Sequence, residues 1–124
     1  MKSQRAYVEH VIECIRRVQE DSARGREAVF ASRTLQDAIL RNLQILCEST
    51  QRVDERYKRE HPDIPWQSIA GMRNVLVHDY FDVDFGTAWK IVERDLPPLD
   101  QAMRLILAEL LESPEDPSTP QRVR

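Results

Sequence analysis

Apolar residues recur through this chain three and four positions apart, and that spacing constrains the fold more than any other feature. Val8, Val11, Ile12, Ile15 and Val18 form one such stripe, with Glu9, Glu13, Arg16 and Arg17 on the other side. Ile39, Leu43, Leu46, Val53 and Tyr57 form a second, close to a heptad. Trp66, Ile69, Leu76 and Val77 make a third, Phe85, Ala88, Trp89 and Val92 a fourth, and Leu99, Met103, Ile106, Leu107 and Leu110 a fifth. Side chains meet at that period only on a helix, so each stripe needs another helix to bury it. The expected fold is all-α, an up-and-down bundle of about five helices, dimeric. Three glycines, seven prolines and few aromatics agree with it.

The punctuation places the helices. The first should run from about Gln4 to Ala23 and stop at Gly25. Ser32 or Thr34 can cap the second, expected from about Arg33 to Glu60, where His61-Pro62 pushes the backbone out of helical geometry. His61 would then sit at the negative end of that helix, and His10 on the polar side of the first reads as a surface residue. Asp63 can cap a third helix opened by Pro65 and ending near Tyr80. A fourth is expected to Arg94, broken by Pro97 and Pro98, which open the fifth. Residues 1–112 form the single domain that 124 residues allow. Residues 113–124, with three prolines and no apolar period, read as a mobile tail.

Composition narrows the chemistry. Cys14 and Cys47 lie inside helical patterns without metal-ligand spacing, as reduced core residues of a cytoplasmic protein would. No apolar run approaches the ~20 residues of a membrane span, and no signal peptide is visible, so the mature chain is expected to be this one. The net charge of −3 argues against a general nucleic-acid coat protein. Residues 1–80 hold 13 basic and 12 acidic side chains, residues 81–124 hold 5 and 9. An anionic ligand is therefore expected on the N-terminal two-thirds, near Arg16, Arg17, Arg24, Arg26 or the run from Arg52 to Arg59. No Gly-rich phosphate loop, H-E-x-x-H, C-x-x-C or G-x-S-x-G occurs. His10, His61 and His78 have no metal-ligand spacing, and Asp79, Asp82 and Asp84 read as helix-end and turn residues; neither a metal nor a cofactor is expected.

The third stretch carries polar groups that packing does not require: Arg73, Asn74, His78 and Tyr80. Arg73 and Tyr80, seven apart, share a face, whereas His78 lies about 140° round from Arg73. Asn74 and His78, four apart, are neighbours. Arg73 and His78 could meet around one substrate only in a groove wrapping the helix, such as a second subunit would close. The plainer alternative pairs Arg73 with an acid on a neighbouring helix and leaves His78 as packing. Arg41 and Glu48, seven apart on one face of the second helix, could border the same cleft or simply be solvated.

The run Arg73-Asn74-Val75-Leu76-Val77-His78-Asp79-Tyr80 resembles the R-x4-H-x-Y signature of HepT-like proteins, a branch of the HEPN superfamily. Ile64-Pro65-Trp66 before it, Gly71-Met72-Arg73-Asn74 at its start and Phe81-Asp82-Val83-Asp84 after it are similar too. So is Arg41-Asn42-Leu43-Gln44-Ile45-Leu46-Cys47-Glu48 to the family's second helix. The resemblance covers about residues 5–112. It implies a helical dimer in which Arg73 and His78 form a metal-independent endoribonuclease site, assisted by Asn74, in a toxin of a toxin–antitoxin system. It implies RNA as substrate and a minimal nucleotidyltransferase antitoxin as partner, in a higher hetero-oligomer, which inactivates the toxin by attaching AMP to Tyr80. The alternative is a non-catalytic subunit that docks the nucleotidyltransferase or presents its substrate.

Overall fold

The computed structural model describes residues 3–78 and 85–112, without the side chains of residues 75–78. Seven α-helices occur among the described residues: α1 Gln4–Ser22, α2 Arg26–Phe30, α3 Arg33–Gln51, α4 Glu55–Lys58, α5 Trp66–His78, α6 Phe85–Lys90 and α7 Leu96–Glu112. A π turn, Ile91–Asp95, joins the last two, and no strand occurs among these residues. The all-α fold read from the periodicity is the fold observed. The tail at 113–124 lies outside the described residues.

Local rules set most boundaries. Ser3 caps α1 by accepting the Ala6 N–H at 3.1 Å, and Ser32 caps α3 by accepting that of Leu35 at 3.1 Å. Gly25, at φ 100°, makes the turn after α1 that other residues rarely tolerate. α5 opens one residue later than expected, at Trp66, with the Pro65 carbonyl accepting the Ile69 N–H at 3.0 Å.

α1 packs along α3 and against α7, and α3 in turn packs against α5. Val8, Val11, Ile15 and Val18 of α1 meet Ile39, Leu43 and Leu46 of α3 and Leu99, Met103 and Ile106 of α7 in one core, all fully buried. Removing Leu99, Met103, Ile106 and Leu110 from water contributes roughly 6–12 kcal/mol gross, an upper bound because an unfolded chain is already partly collapsed.

Four expectations are corrected. The second helix does not run to Glu60. It ends at Gln51, and a break at Arg52–Asp54 precedes the short α4. Gln4 fixes that break from 50 residues away: its Nε2 donates to the Arg52 carbonyl at 3.1 Å and its Oε1 accepts the Asp54 N–H at 2.6 Å. Asp54 then caps α4 through the Arg56 N–H at 3.0 Å.

Secondly, Pro97 and Pro98 do not break the path, which stays helical from Phe85 to Glu112. They occupy the first turn of α7, where a missing N–H leaves no bond unmade. The π turn carries the backbone into them, with the Leu96 N–H reaching the Ile91 carbonyl. Thirdly, a single-turn α2 appears where a connection was expected. Val29 anchors it fully buried, and the Phe30 ring stands edge-on to Phe85 and Trp89, at 5.2 and 5.9 Å between centroids. Finally, His10 is half-buried rather than a surface residue, with Nδ1 3.1 Å from the hydroxyl of buried Ser49 on α3.

Candidate active site

α5 owes its position to its first residue. The Trp66 indole donates to the carbonyls of Lys58 and His61, at 3.2 and 3.0 Å, while Ile69 and Met72 sink into the core. His61 therefore follows α4 and supplies a carbonyl to the indole. Two contacts then set α5 against α3. Gln51 Nε2 donates to the Ala70 carbonyl at 3.2 Å, and Arg73 Nε donates to Glu48 Oε2 at 3.3 Å. Three residues back along α3 match three residues forward along α5, so the helices are antiparallel. The same register carries Arg41, exposed on α3, about 10 Å further along, toward the end of α5 where His78 is the last helical residue.

The structure thus brings together two of the residues singled out separately in the sequence. The Arg73–Glu48 pair spans α3 and α5, with side chains 37 % and 43 % exposed. Solvent reaches both partners, so the pair adds little to folding and leaves the guanidinium accessible. Asn74 is exposed next to it. The side chain of His78 lies outside the description, and Tyr80 lies outside the described residues altogether. The plainer alternative's pairing of Arg73 with an acid on a neighbouring helix is realised, and the acid is Glu48.

Helical spacing divides α5 into three sides. Ala70 and Arg73 face α3. Ile69 and Met72 face α6 and the π turn, where Ser68 lines the edge of a groove. Between these sides lie the positions of Gly71, Asn74 and His78. Gly71 is exposed, and a Cβ built on it would meet nothing within 4 Å. Packing within the protomer gives no reason for that glycine, which costs about 0.5–1 kcal/mol relative to alanine inside a helix.

The cationic runs proposed for anion binding are largely occupied. Arg16 and Arg17 both bond to Glu13, whose carboxyl their guanidinium hydrogen bonds hold down at about 2. Arg56 bonds the Tyr57 hydroxyl at 2.6 Å, and Lys58, folded over the Trp66 ring, has its pKa lowered by burial. Cys14 and Cys47 are free thiols in the core; burial raises both, Cys47 to about 12. Among the described residues no three His, Cys, Asp or Glu side chains gather as metal ligands would, and no helix is long and apolar enough to cross a membrane.

Residues 9–106 match the family described as Ribonuclease HepT-like. The chain belongs to the HepT-like ribonuclease family. Its relatives include "Probable ribonuclease HepT" of Thermococcus cleftensis, 36% identical over 102 residues, 79% of this chain and 90% of that one. "mRNA nuclease HepT" of Shewanella oneidensis is 26% identical over 120 residues, covering 77% and 90%. A third, "Gamma-glutamylcyclotransferase and putative RNase MJ0434" of Methanocaldococcus jannaschii, is 32% identical over 110 residues, 88% of this chain; the chain spans 50% of that protein's length. No solved structure matches the chain. The HEPN bundle implied by the signature is therefore the family fold of this HepT-like chain, with Arg73, the first residue of the signature, on α5.

Proposed function

We propose that this HepT-like chain is a metal-independent endoribonuclease, the toxin of a toxin–antitoxin pair acting in the cytoplasm. The observation that carries the reading is Arg73: half-exposed, tethered through Nε by Glu48, five residues before the signature histidine in a chain of this family. A guanidinium held by Nε keeps its terminal amino groups to turn toward a phosphate, opposing the charge that grows on a phosphorane. His78 supplies an imidazole, the side chain suited to moving protons at neutral pH. The 2′-oxygen gives its proton to one imidazole and bonds phosphorus, the bond from phosphorus to the 5′-oxygen breaks, and a second imidazole protonates that oxygen. Products are a 2′,3′-cyclic phosphate and a 5′-hydroxyl. Asn74 orients His78 or holds the ribose.

Two imidazoles call for two protomers. Gly71 supports a homodimer formed over this face of α5, because a missing side chain there lets a second backbone approach closely. Arg73→Ala and His78→Ala should each abolish RNA cleavage in EDTA while leaving helical content intact. Full activity in either variant refutes the mechanism. The Glu48 pair equally suits a non-catalytic subunit that docks a nucleotidyltransferase, and cleavage of RNA by the wild-type chain separates the readings.

Regulation would follow from AMP on Tyr80, delivered by the nucleotidyltransferase. A mass gain on incubation with that enzyme and ATP, lost in Tyr80→Phe, is the expected result. Growth arrest on expressing this chain alone, relieved by the adjacent gene, tests the toxin assignment.

A further inference from the structure

On the side of α5 away from Glu48, a groove of about 210 Å³ opens between α5 and the segment from α6 into the π turn. Its apolar lining is Ile69, Met72 and Ile91, with Ile69 and Met72 buried. Lys90 and Arg94, both exposed, line it from the opposite side, against a single carboxylate, Asp95, whose Oδ1 lies 3.5 Å from Arg94 Nε. Two cations and one anion leave the groove net positive within a chain segment that is acidic overall. The charge pattern of the sequence pointed anions elsewhere. The π turn itself is a departure from regular helix of the kind that recurs at functional sites, and here Lys90 precedes it and Arg94 lies within it, and both line one groove.

An apolar patch flanked by paired cations matches the chemistry of one nucleotide: a flat base and an anionic phosphate. The groove also adjoins the face of α5 that carries the Gly71, Asn74 and His78 positions. Met72 precedes Arg73 directly, and Met72 lies about 9 Å along the helix axis from His78. A single strand whose scissile phosphate sits at Arg73 and His78 can therefore continue into this groove.

We propose that the groove is a nucleotide subsite for single-stranded RNA, holding a base on Ile69, Met72 and Ile91 and its phosphates at Lys90 and Arg94. It deepens the ribonuclease reading and rests on it for the strand's path. Binding of a 2′-O-methyl RNA oligonucleotide, which cannot be cleaved, tests it on the full chain by fluorescence anisotropy across a salt series.

If Lys90 and Arg94 each neutralise one phosphate, Lys90→Gln/Arg94→Gln should flatten the slope of log affinity against log salt by about 1.4. Between about 50 and 200 mM salt the variant would then lose ~7-fold less affinity than the wild type. Ser68→Trp, which fills the groove without altering charge, should weaken binding at least about tenfold with an unchanged circular dichroism spectrum. An unchanged slope together with wild-type affinity in Ser68→Trp overturns the subsite, as does loss of self-association in its place. Because the oligonucleotide is uncleavable, that failure is distinct from failure of the ribonuclease reading. The latter shows only as absent cleavage of ordinary RNA by the wild-type chain.

Discussion

Replacing Glu48 separates what the Arg73–Glu48 pair does for folding from what it does for the site. At 3.3 Å and an effective dielectric of about 20, the bare attraction is about 5 kcal/mol. Desolvation, side-chain ordering and screening offset nearly all of that for a pair exposed by more than a third on both sides, leaving under ~1 kcal/mol. Glu48→Ala should therefore lower the melting temperature by only a few degrees, about 2–8 °C at most. In the mechanism proposed above its effect on cleavage should be larger, because the variant releases the guanidinium assigned there to the scissile phosphate. A displacement of about 1 Å costs up to 10²-fold, so a 10- to 100-fold fall in kcat is expected, with KM little changed. Glu48→Gln keeps an acceptor for Nε and should retain more activity than Glu48→Ala. The assay is steady-state cleavage of a fluorogenic RNA alongside thermal unfolding. Wild-type kcat in Glu48→Ala removes the positioning role. A rise in kcat would show that Glu48 masks the Arg73 charge.

Three further outcomes test the scaffold. Gln4→Ala removes both long-range bonds that hold the α3–α4 break, so chemical denaturation should register a loss of about 1–2 kcal/mol, and an unchanged midpoint would dismiss the staple. The Cys47 thiol keeps its proton to about 12 in the fold, whereas in the unfolded chain it ionises near 8.5. Unfolding then releases a proton above that lower value, so stability falls as pH rises between the two, by up to ~1.4 kcal/mol per pH unit. Cys47→Ala should flatten that alkaline decline in urea titrations, and parallel profiles would sink the assignment. Lys58 is buried, its amine is pushed down by burial, and its partner Glu55 is 75 % exposed at 3.8 Å. Lys58→Met should therefore leave stability unchanged or raise it by about 1–2 kcal/mol in thermal unfolding, and a loss of that size would show the ammonium to be stabilising.

The stripes were legible because burial follows the helical period: Val8, Val11, Ile15 and Val18 are spaced for one face and all four are buried. What the sequence concealed is non-local. Gln4 is an ordinary first residue of a helix until the fold brings Arg52 and Asp54 to it. α2 has five residues, too few to display a period at all. Pro97 and Pro98 suit a helix start and a helix break equally, and only the preceding π turn decides between them. His10 looked solvated because its partner, Ser49, is 39 positions away.

The site follows the same division. Arg73 could be singled out among apolar residues of the third stretch and Glu48 as one of two charges seven apart on α3, but their pairing depends on the register of α3 against α5. That register is fixed by helix packing and by the Gln51–Ala70 bond, and no short sequence window contains it. It also explains why the signature needs a whole bundle to support so few side chains. α3 tethers one side of α5 through Glu48 and Gln51, and the core holds Ile69 and Met72. Fixed on those sides, α5 presents its remaining face, with Gly71 and Asn74, outward. An arginine carried on an unsupported loop would have to give up its own conformational freedom each time a phosphate arrived. Held by Glu48, Arg73 has surrendered much of it on folding, and that is the preorganisation the proposed mechanism asks of it.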